Sequence, residues 1–257
     1  SDLSFQRFYA ETNWNPKSLE NEKILEVGSG AGRFTEIFLR TTNANLFSID
    51  YSNAVEANLR NNKIYQSRLV LAQASIYEVP FPDNFFDKVF CLGVLQHTPN
   101  FKQSISSLIL KVKIGGEIVV DFYPIKSIFT KIHSKYILRP ITKRLPKLIL
   151  LKIIELSIDL LILIFDILCR FKLGFLTRFI PITDIRGFPK NLNKEMRKKW
   201  AIMDTFDAFS PTYDNPQKLN DVIKMFKKNG CKVTFGGIVN YPNGKSMVVR
   251  AIKINDL

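Results

Sequence analysis

Hydrophobic positions in the first half of the chain fall into short blocks separated by polar, turn-rich segments. "KILEV" (23–27), "NLFSID" (45–50), "RLVLAQA" (68–74), "DKVFCL" (87–92) and "GEIVVDFY" (116–123) are β-rich and almost continuously apolar. Runs of that kind suit strands buried on both faces. Between them, "GRFTEIFLRT" (32–41), "AVEANLRNN" (54–62) and "FKQSISSLILKV" (101–112) carry helical spacing. Strands alternating with helices predict a doubly wound, mostly parallel sheet. The alternation breaks after Tyr123. It resumes at "PQKLNDVIKMFKKNG" (216–230), a helix expected to start at its Pro and stop at its Gly. Two final strands, "CKVTFGG" (231–237) and "KSMVVRAIKI" (245–254), are joined by "NYPNG" and predict an antiparallel C-terminal hairpin.

Seven strands and their helices therefore predict an α/β domain over residues 1–123 and 212–257. Residues 124–211 form a basic, apolar, helical insertion that is expected to cap the substrate. Within it, "LPKLILLKIIELSIDLLILIFDILCRFKLGFL" (145–176) is long enough to cross a bilayer. Lys152, Glu155, Asp159, Asp166 and Arg170 interrupt it along one helical stripe, with Lys152 placed to pair with Glu155 and Asp166 with Arg170. Charges at mid-span are costly enough to rule out spanning. A buried cap and an amphipathic helix lying in a membrane interface both remain open.

Charge sharpens this. The chain has a formal net charge of +14, and from Pro124 to Trp200 there are 17 Lys/Arg against five Asp/Glu. The basic character belongs to the insertion, so an anionic membrane surface facing residues 139–178 is a candidate partner. The aliphatic run lacks the aromatic and basic interleaving of a nucleic-acid face, so no nucleic-acid partner is expected. Cys91, Cys169 and Cys231 lie apart among apolar neighbours and read as buried free thiols. The opening "SDLSFQRFYAETNW" has no signal-peptide pattern. A cytoplasmic protein, peripheral on the inner face of the membrane if the insertion binds lipid, is expected.

The chemistry concentrates in "ILEVGSGAGRF" (24–34). Gly28, Gly30 and Gly32 are spaced two and two, and Arg33 stands where a dinucleotide fingerprint wants its third glycine. Asp50 ends the second strand, placed to accept the hydroxyls of a ribose. Glu26, just upstream, suits a cationic ligand better than a pyrophosphate. On charge grounds the loop points to S-adenosylmethionine rather than to NAD.

These residues resemble the class I S-adenosylmethionine-dependent methyltransferases, in particular the group with the ubiquinone/menaquinone C-methyltransferases. "LEVGSGAGRF" resembles that family's first motif and "SIDYS" (48–52) its second. "QASIYEVPFPDNFFD" (73–87) resembles the adenine-side motif, with Ser75 in place of its acid. "VFCLGVLQHTPN" (89–100) resembles the fourth-strand motif, and "LKVKIGGEIVVDFY" the L-K-P-G-G segment, with Ile114 at the proline. The resemblance implies a Rossmann-like seven-stranded fold. It also implies a cofactor site built from Glu26, Gly28, Ser29, Gly30, Gly32, Asp50, Tyr51, Ser75, Ile76 and Leu92.

Acceptor chemistry belongs beyond the carboxyl ends of the strands. His97, just after the fourth strand, is the candidate base, since histidine is the side chain whose unperturbed pKa lies near neutrality. Packing beside the cofactor is its alternative role. Tyr123, Asp207 and Tyr213 are candidate substrate residues; no His or Cys accompanies Asp204 and Asp207, so no metal is expected. His133 is expected to be solvated. No N-P-P-Y-type sequence follows the fourth strand, which leaves hydroxyl or carbon acceptors. The expected function is O-methylation of a glycan or lipid-linked small molecule. C-methylation of a prenylated quinone and an inactive cofactor-binding module at the membrane are the rivals.

Overall fold

The computed structural model describes residues 2–125, 132–189, 192–242 and 244–256. They divide into two compact units, Ser1–Pro124 with Asn215–Leu257, and Ile125–Asp214.

The first unit is a seven-stranded sheet in the order β3-β2-β1-β4-β5-β7-β6. Its strands are β1 (Lys23–Val27), β2 (Asn45–Asp50), β3 (Leu69–Gln73), β4 (Phe86–Cys91), β5 (Val112–Phe122), β6 (Cys231–Tyr241) and β7 (Gly244–Lys253). β1 to β5 pair in parallel, whereas β7 runs antiparallel to both β5 and β6. The chain order reverses between β1 and β4, so a crevice is expected at the carboxyl ends of these two strands.

The near-continuous apolar strands are explained by cover on both faces. On one face Leu25, Val27, Val89, Cys91, Ile118 and Val120 pack with α4 (Phe101–Lys111) and α8 (Leu219–Lys228). On the other, Ile24, Phe90 and Val119 pack with α1 (Asp2–Thr12) and α2 (Arg33–Thr41). α3 (Ala54–Asn61) completes the crossover from β2 to β3. The sheet is doubly wound, as the alternation predicts.

The structure adds one helix and corrects two local expectations. Helix α1 was not foreseen from its mixed composition, yet Phe5, Phe8, Tyr9 and Thr12 recur at helical spacing. Phe8 lies fully buried among Trp14, Phe34, Phe38 and Phe90. Arg250 holds the end of this helix by donating to the carbonyls of Ala10 and Glu11, two of the acceptors a helix C-terminus leaves open. Pro216 does not start α8; it precedes a parallel bridge between Pro124 and Gln217, and the helix begins at Leu219. Lys113–Gly116 is drawn into β5 rather than forming a separate turn, with a register shift opposite Phe86 and Lys88.

The second unit is helical. It contains α5 (Ser134–Thr142), α6 (Lys147–Arg170) and α7 (Lys194–Phe209). Leu150, Ile154, Ile158 and Phe165 of α6 form its core with Ile180, Ile182, Ile185, Ala201 and Phe209. The charged stripe on α6 is real, but its partners are not those expected. Asp166 binds Arg197 bidentately and Asp159 binds Lys198, both on α7. A side chain reaching to a facing helix satisfies the stripe better than pairing along its own. His133 is half-buried and caps α5 by accepting from the Lys135 N–H, so it is not simply solvated. Cys91 and Cys231 are buried free thiols, whereas Cys169 is half-exposed. No helix among the described residues is long and apolar enough to cross a membrane.

Candidate active site

The glycine loop follows β1 and turns into α2. Its position is set by β2: the N–H groups of Gly28 and Ser29 both donate to the Ile49 carbonyl, at 2.8 and 3.1 Å. The glycines have different reasons to be glycine. A Cβ on Gly28 would stand 2.1 Å from Cγ2 of Val94, so this position is closed by the β4–α4 loop. A Cβ on Gly30 would meet nothing within 4 Å, so this position opens outward, where a ligand can approach the backbone. Gly32 caps α2 against Asn58 and Asn62 of the next crossover.

Asp50 sits at the tip of β2. Its Oδ2 accepts from the Gly30 N–H at 2.7 Å, and its Oδ1 accepts from the Ser52 N–H and hydroxyl at 2.8 and 2.6 Å. Of these three donors only the Ser52 hydroxyl can leave without moving backbone. That exchange would free the carboxylate for a diol. Tyr51 beside it is 80% exposed, a ring presented to solvent at the mouth of the site. Across β3, Ser75 is half-buried with its hydroxyl accepting from the Tyr77 N–H, Ile76 is buried below it, and Leu92 is buried at the end of β4.

Glu26 is the last residue but one of β1. It lies under the loop, 2% exposed, and its Oε2 accepts from the hydroxyls of Thr35 (2.5 Å) and Ser48 (2.8 Å). Burial raises its pKa from the ordinary 4.5 to about 7, with the two hydroxyls opposing the shift and Asp50 adding to it. Glu26 therefore ties α2 and β2 together through Thr35 and Ser48.

Beyond β4, a short 3-10 turn, Leu95–His97, carries the candidate base. The His97 N–H donates to the Val94 carbonyl, and its ring stands edge-on to Tyr123 with centroids 5.7 Å apart. These two candidates are brought together at the carboxyl edge. Asp207, on α7, and Tyr213, just before the chain returns, belong to the second unit. Asp204, three residues before Asp207, has its pKa raised by burial and by the Asp207 charge.

Sequence reasoning missed a buried charge cluster next to the loop. Asp121 at the end of β5 accepts from the Gly93 N–H and, at 2.8 Å, from Arg7 of α1; Arg7 also binds Glu11 at 2.8 Å. Burial and the nearby Glu11 push Asp121 up to about 6, against the pull of Arg7. The signal was present in "IVVDFY": an acid inside an apolar strand requires a buried partner.

Two buried polar atoms here have no hydrogen-bond partner, Ser29 Oγ and Gln96 Oε1. Both belong to loops at the carboxyl edge, one after β1 and one after β4. Orphaned groups at a crevice are what a bound polar ligand would satisfy.

Residues 25–120 match the family model described as a methyltransferase domain. Those residues are a class I methyltransferase domain. The chain is 29% identical over 105 residues to a tRNA U34 carboxymethyltransferase of Nautilia profundicola, covering 40% of this chain and 35% of that protein. It is 28% identical over 123 residues to the ubiquinone/menaquinone biosynthesis C-methyltransferase UbiE of Vibrio cholerae, covering 45% of this chain and 47% of that protein. The chain thus spans under half the length of these two curated relatives. Among solved structures it is similar to the YcgJ protein of Bacillus subtilis, with a TM-score of 0.54 at 11% identity over 99% of this chain and all of that one. That likeness speaks for the fold.

S-adenosylmethionine is the cofactor of such a methyltransferase domain, and these residues fit it. Asp50 would accept from the ribose hydroxyls, Gly30 leaves open space for close approach of the ligand to the backbone, and the unpartnered Ser29 Oγ would take up a polar group of the methionyl part. Glu26, buried under the loop, would complement a cationic ligand when ionised.

Proposed function

We propose that this chain transfers the methyl group of S-adenosylmethionine to a hydroxyl of a glycan or lipid-linked small molecule. The observation that carries the reading is the convergence, on one edge of the sheet, of the Gly28–Gly30 loop pinned by Asp50 and the His97–Tyr123 pair after β4 and β5. The sulfonium supplies an already activated methyl carbon. The protein has to hold the acceptor in line and take its proton. Held over the Gly28–Gly30 loop and Asp50, S-adenosylmethionine would supply that carbon to the acceptor oxygen and keep the carbon–sulfur electron pair on its sulfur. His97 receives the proton, and Tyr123 orients the imidazole or the acceptor.

Acceptor choice is assigned to residues 125–214. Both ends of that segment are anchored at the carboxyl edge: Pro124 bridges Gln217, and the Asn215 N–H donates to the Gln96 carbonyl at 2.7 Å. Asp207 and Tyr213 are its candidate acceptor contacts. A second reading, C-methylation of a prenylated quinone, is favoured by the similarity to the Vibrio cholerae enzyme.

Calorimetry tests the cofactor. The parent chain should bind S-adenosylmethionine, and Asp50→Ala should weaken binding by about tenfold to a hundredfold, the loss of one or two hydrogen bonds to a charged acceptor. Absence of binding in the parent would remove the proposal. Methyl-labelled cofactor incubated with fractionated lipids, glycans and metabolites then identifies the acceptor, and label in a base-stable C–C bond would select the quinone reading.

A further inference from the structure

The outer face of α6 is apolar and exposed along its whole length. Ile149, Ile153, Leu156, Leu160, Leu163 and Ile167 follow four- and three-residue steps and are all exposed, Leu156 by 87%. Such steps place them in one stripe. The opposite face, with Ile154, Ile158 and Phe165, is buried in the core of its own unit, and the charged stripe between the two faces is held by α7. Among the described residues the helix is thus apolar on two sides, one packed in the core of its unit and the other exposed. At about 1.5 Å per residue its 24 residues present a strip of roughly 36 Å. Patches of this extent mark an interaction surface.

Beyond the helix the same character continues with aromatic rings. Phe171, Phe175 and Phe179 are 69%, 62% and 51% exposed, interleaved with Lys172 and Arg178. Lys143, Arg144 and Lys147 stand at the other end. Residues 125–214 contain 17 Lys/Arg against eight Asp/Glu. Five of those acids, Asp159, Asp166, Asp184, Glu195 and Asp214, are already paired to cations elsewhere in the unit. The cations at the two ends of the stripe form no ion pair among the described residues.

We infer that this strip is the docking face for an anionic membrane surface. The helix lies in the plane of the interface, the aliphatic stripe and the phenylalanines enter the acyl boundary, and the end cations meet lipid phosphates. Charge decides between this occupant and a second copy of the chain. A self-complementary dimer over the same strip would bring basic ends onto basic surroundings, whereas an anionic bilayer neutralises them. This goes beyond methyl transfer and does not depend on it.

Co-sedimentation of the full chain with vesicles tests it. Vesicles of phosphatidylcholine mixed with phosphatidylglycerol should carry the protein down at low salt and release much of it at high salt, and vesicles of phosphatidylcholine alone should carry little. Leu156→Glu combined with Leu160→Glu, at exposed positions that leave the core intact, should lower partitioning at least about tenfold. Reversing Lys143, Arg144 and Lys147 to Glu should lower it by on the order of a hundredfold. Circular dichroism and cofactor calorimetry on the same variants separate a folding defect, or failure of the methyltransferase reading, from loss of docking. Equal binding to both vesicle types, or parental binding by both variants, would overturn the inference. So would a concentration-dependent dimer in sedimentation velocity that Leu156→Glu abolishes, with no vesicle binding.

Discussion

At the scale of single residues, the glycine loop separates positions that serve the fold from positions that face the ligand. Gly28→Ala forces a methyl into Val94 at a backbone φ of +86° and should cost about 3 kcal/mol of stability in denaturant titration. Gly30→Ala, at φ +53° with open space beyond, should cost only about 1–2 kcal/mol and still fold. Its loss should appear instead in calorimetry as weakened S-adenosylmethionine binding. Glu26 makes a second prediction at this scale. Its carboxyl titrates at about 7 when folded against an ordinary 4.5. Between those values the folded chain keeps a proton that the unfolded chain has released, so stability is fully present below 4.5 and falls as pH rises to 7. Between pH 5 and 8 the parent should lose about 2–3 kcal/mol that Glu26→Gln does not lose, as read by urea midpoints at both pH values.

At the scale of elements, α6 shows which of its faces carries its stability. The Asp166–Arg197 and Asp159–Lys198 pairs are exposed ion pairs between helices, and such pairs contribute on the order of 0–1 kcal/mol each. Ile158 is fully buried in the unit's core. Asp166→Asn should therefore move the thermal midpoint little, while Ile158→Ala should cost about 2–5 kcal/mol and release the helical unit first on heating. The reverse order would show that the charged stripe, not the buried face, holds α6 in place. α1 follows the same logic: its aromatic face, not its helix propensity, attaches it to the sheet, with Arg250 closing its last carbonyls.

At the scale of the whole molecule, the chain inserts one unit into another without interrupting the sheet. Pro124 and Gln217 are bridge partners, so the ends flanking residues 125–214 already meet in the first unit. Replacing 125–214 with a short Gly/Ser linker should leave that unit folded and able to bind S-adenosylmethionine, while transfer to the acceptor is lost. Calorimetry and a methyl-release assay read the two outcomes separately. Loss of cofactor binding in that chain would mean that the first unit needs the insertion to build its site.

The sequence by itself determined the alternating strands and helices, the glycine loop, Asp50 and the apolar character of residues 145–176. Each is encoded by neighbours close along the chain: strand runs by continuous burial, the loop by backbone freedom, the helix by its period. Only the tertiary structure decided where charges and bare faces ended up. Glu26 went beneath the loop because α2 and β2 supply Thr35 and Ser48 to hold it. Asp121 found Arg7, 114 positions away, because α1 folds back across the sheet. Asp166 turned from Arg170 on its own helix to Arg197 on the next. On α6 the sequence pattern gives apolar positions nearly all round, and periodicity alone could not say which half would be covered. Long-range packing makes that choice, burying Ile158 and leaving Leu156, two positions earlier, in the open.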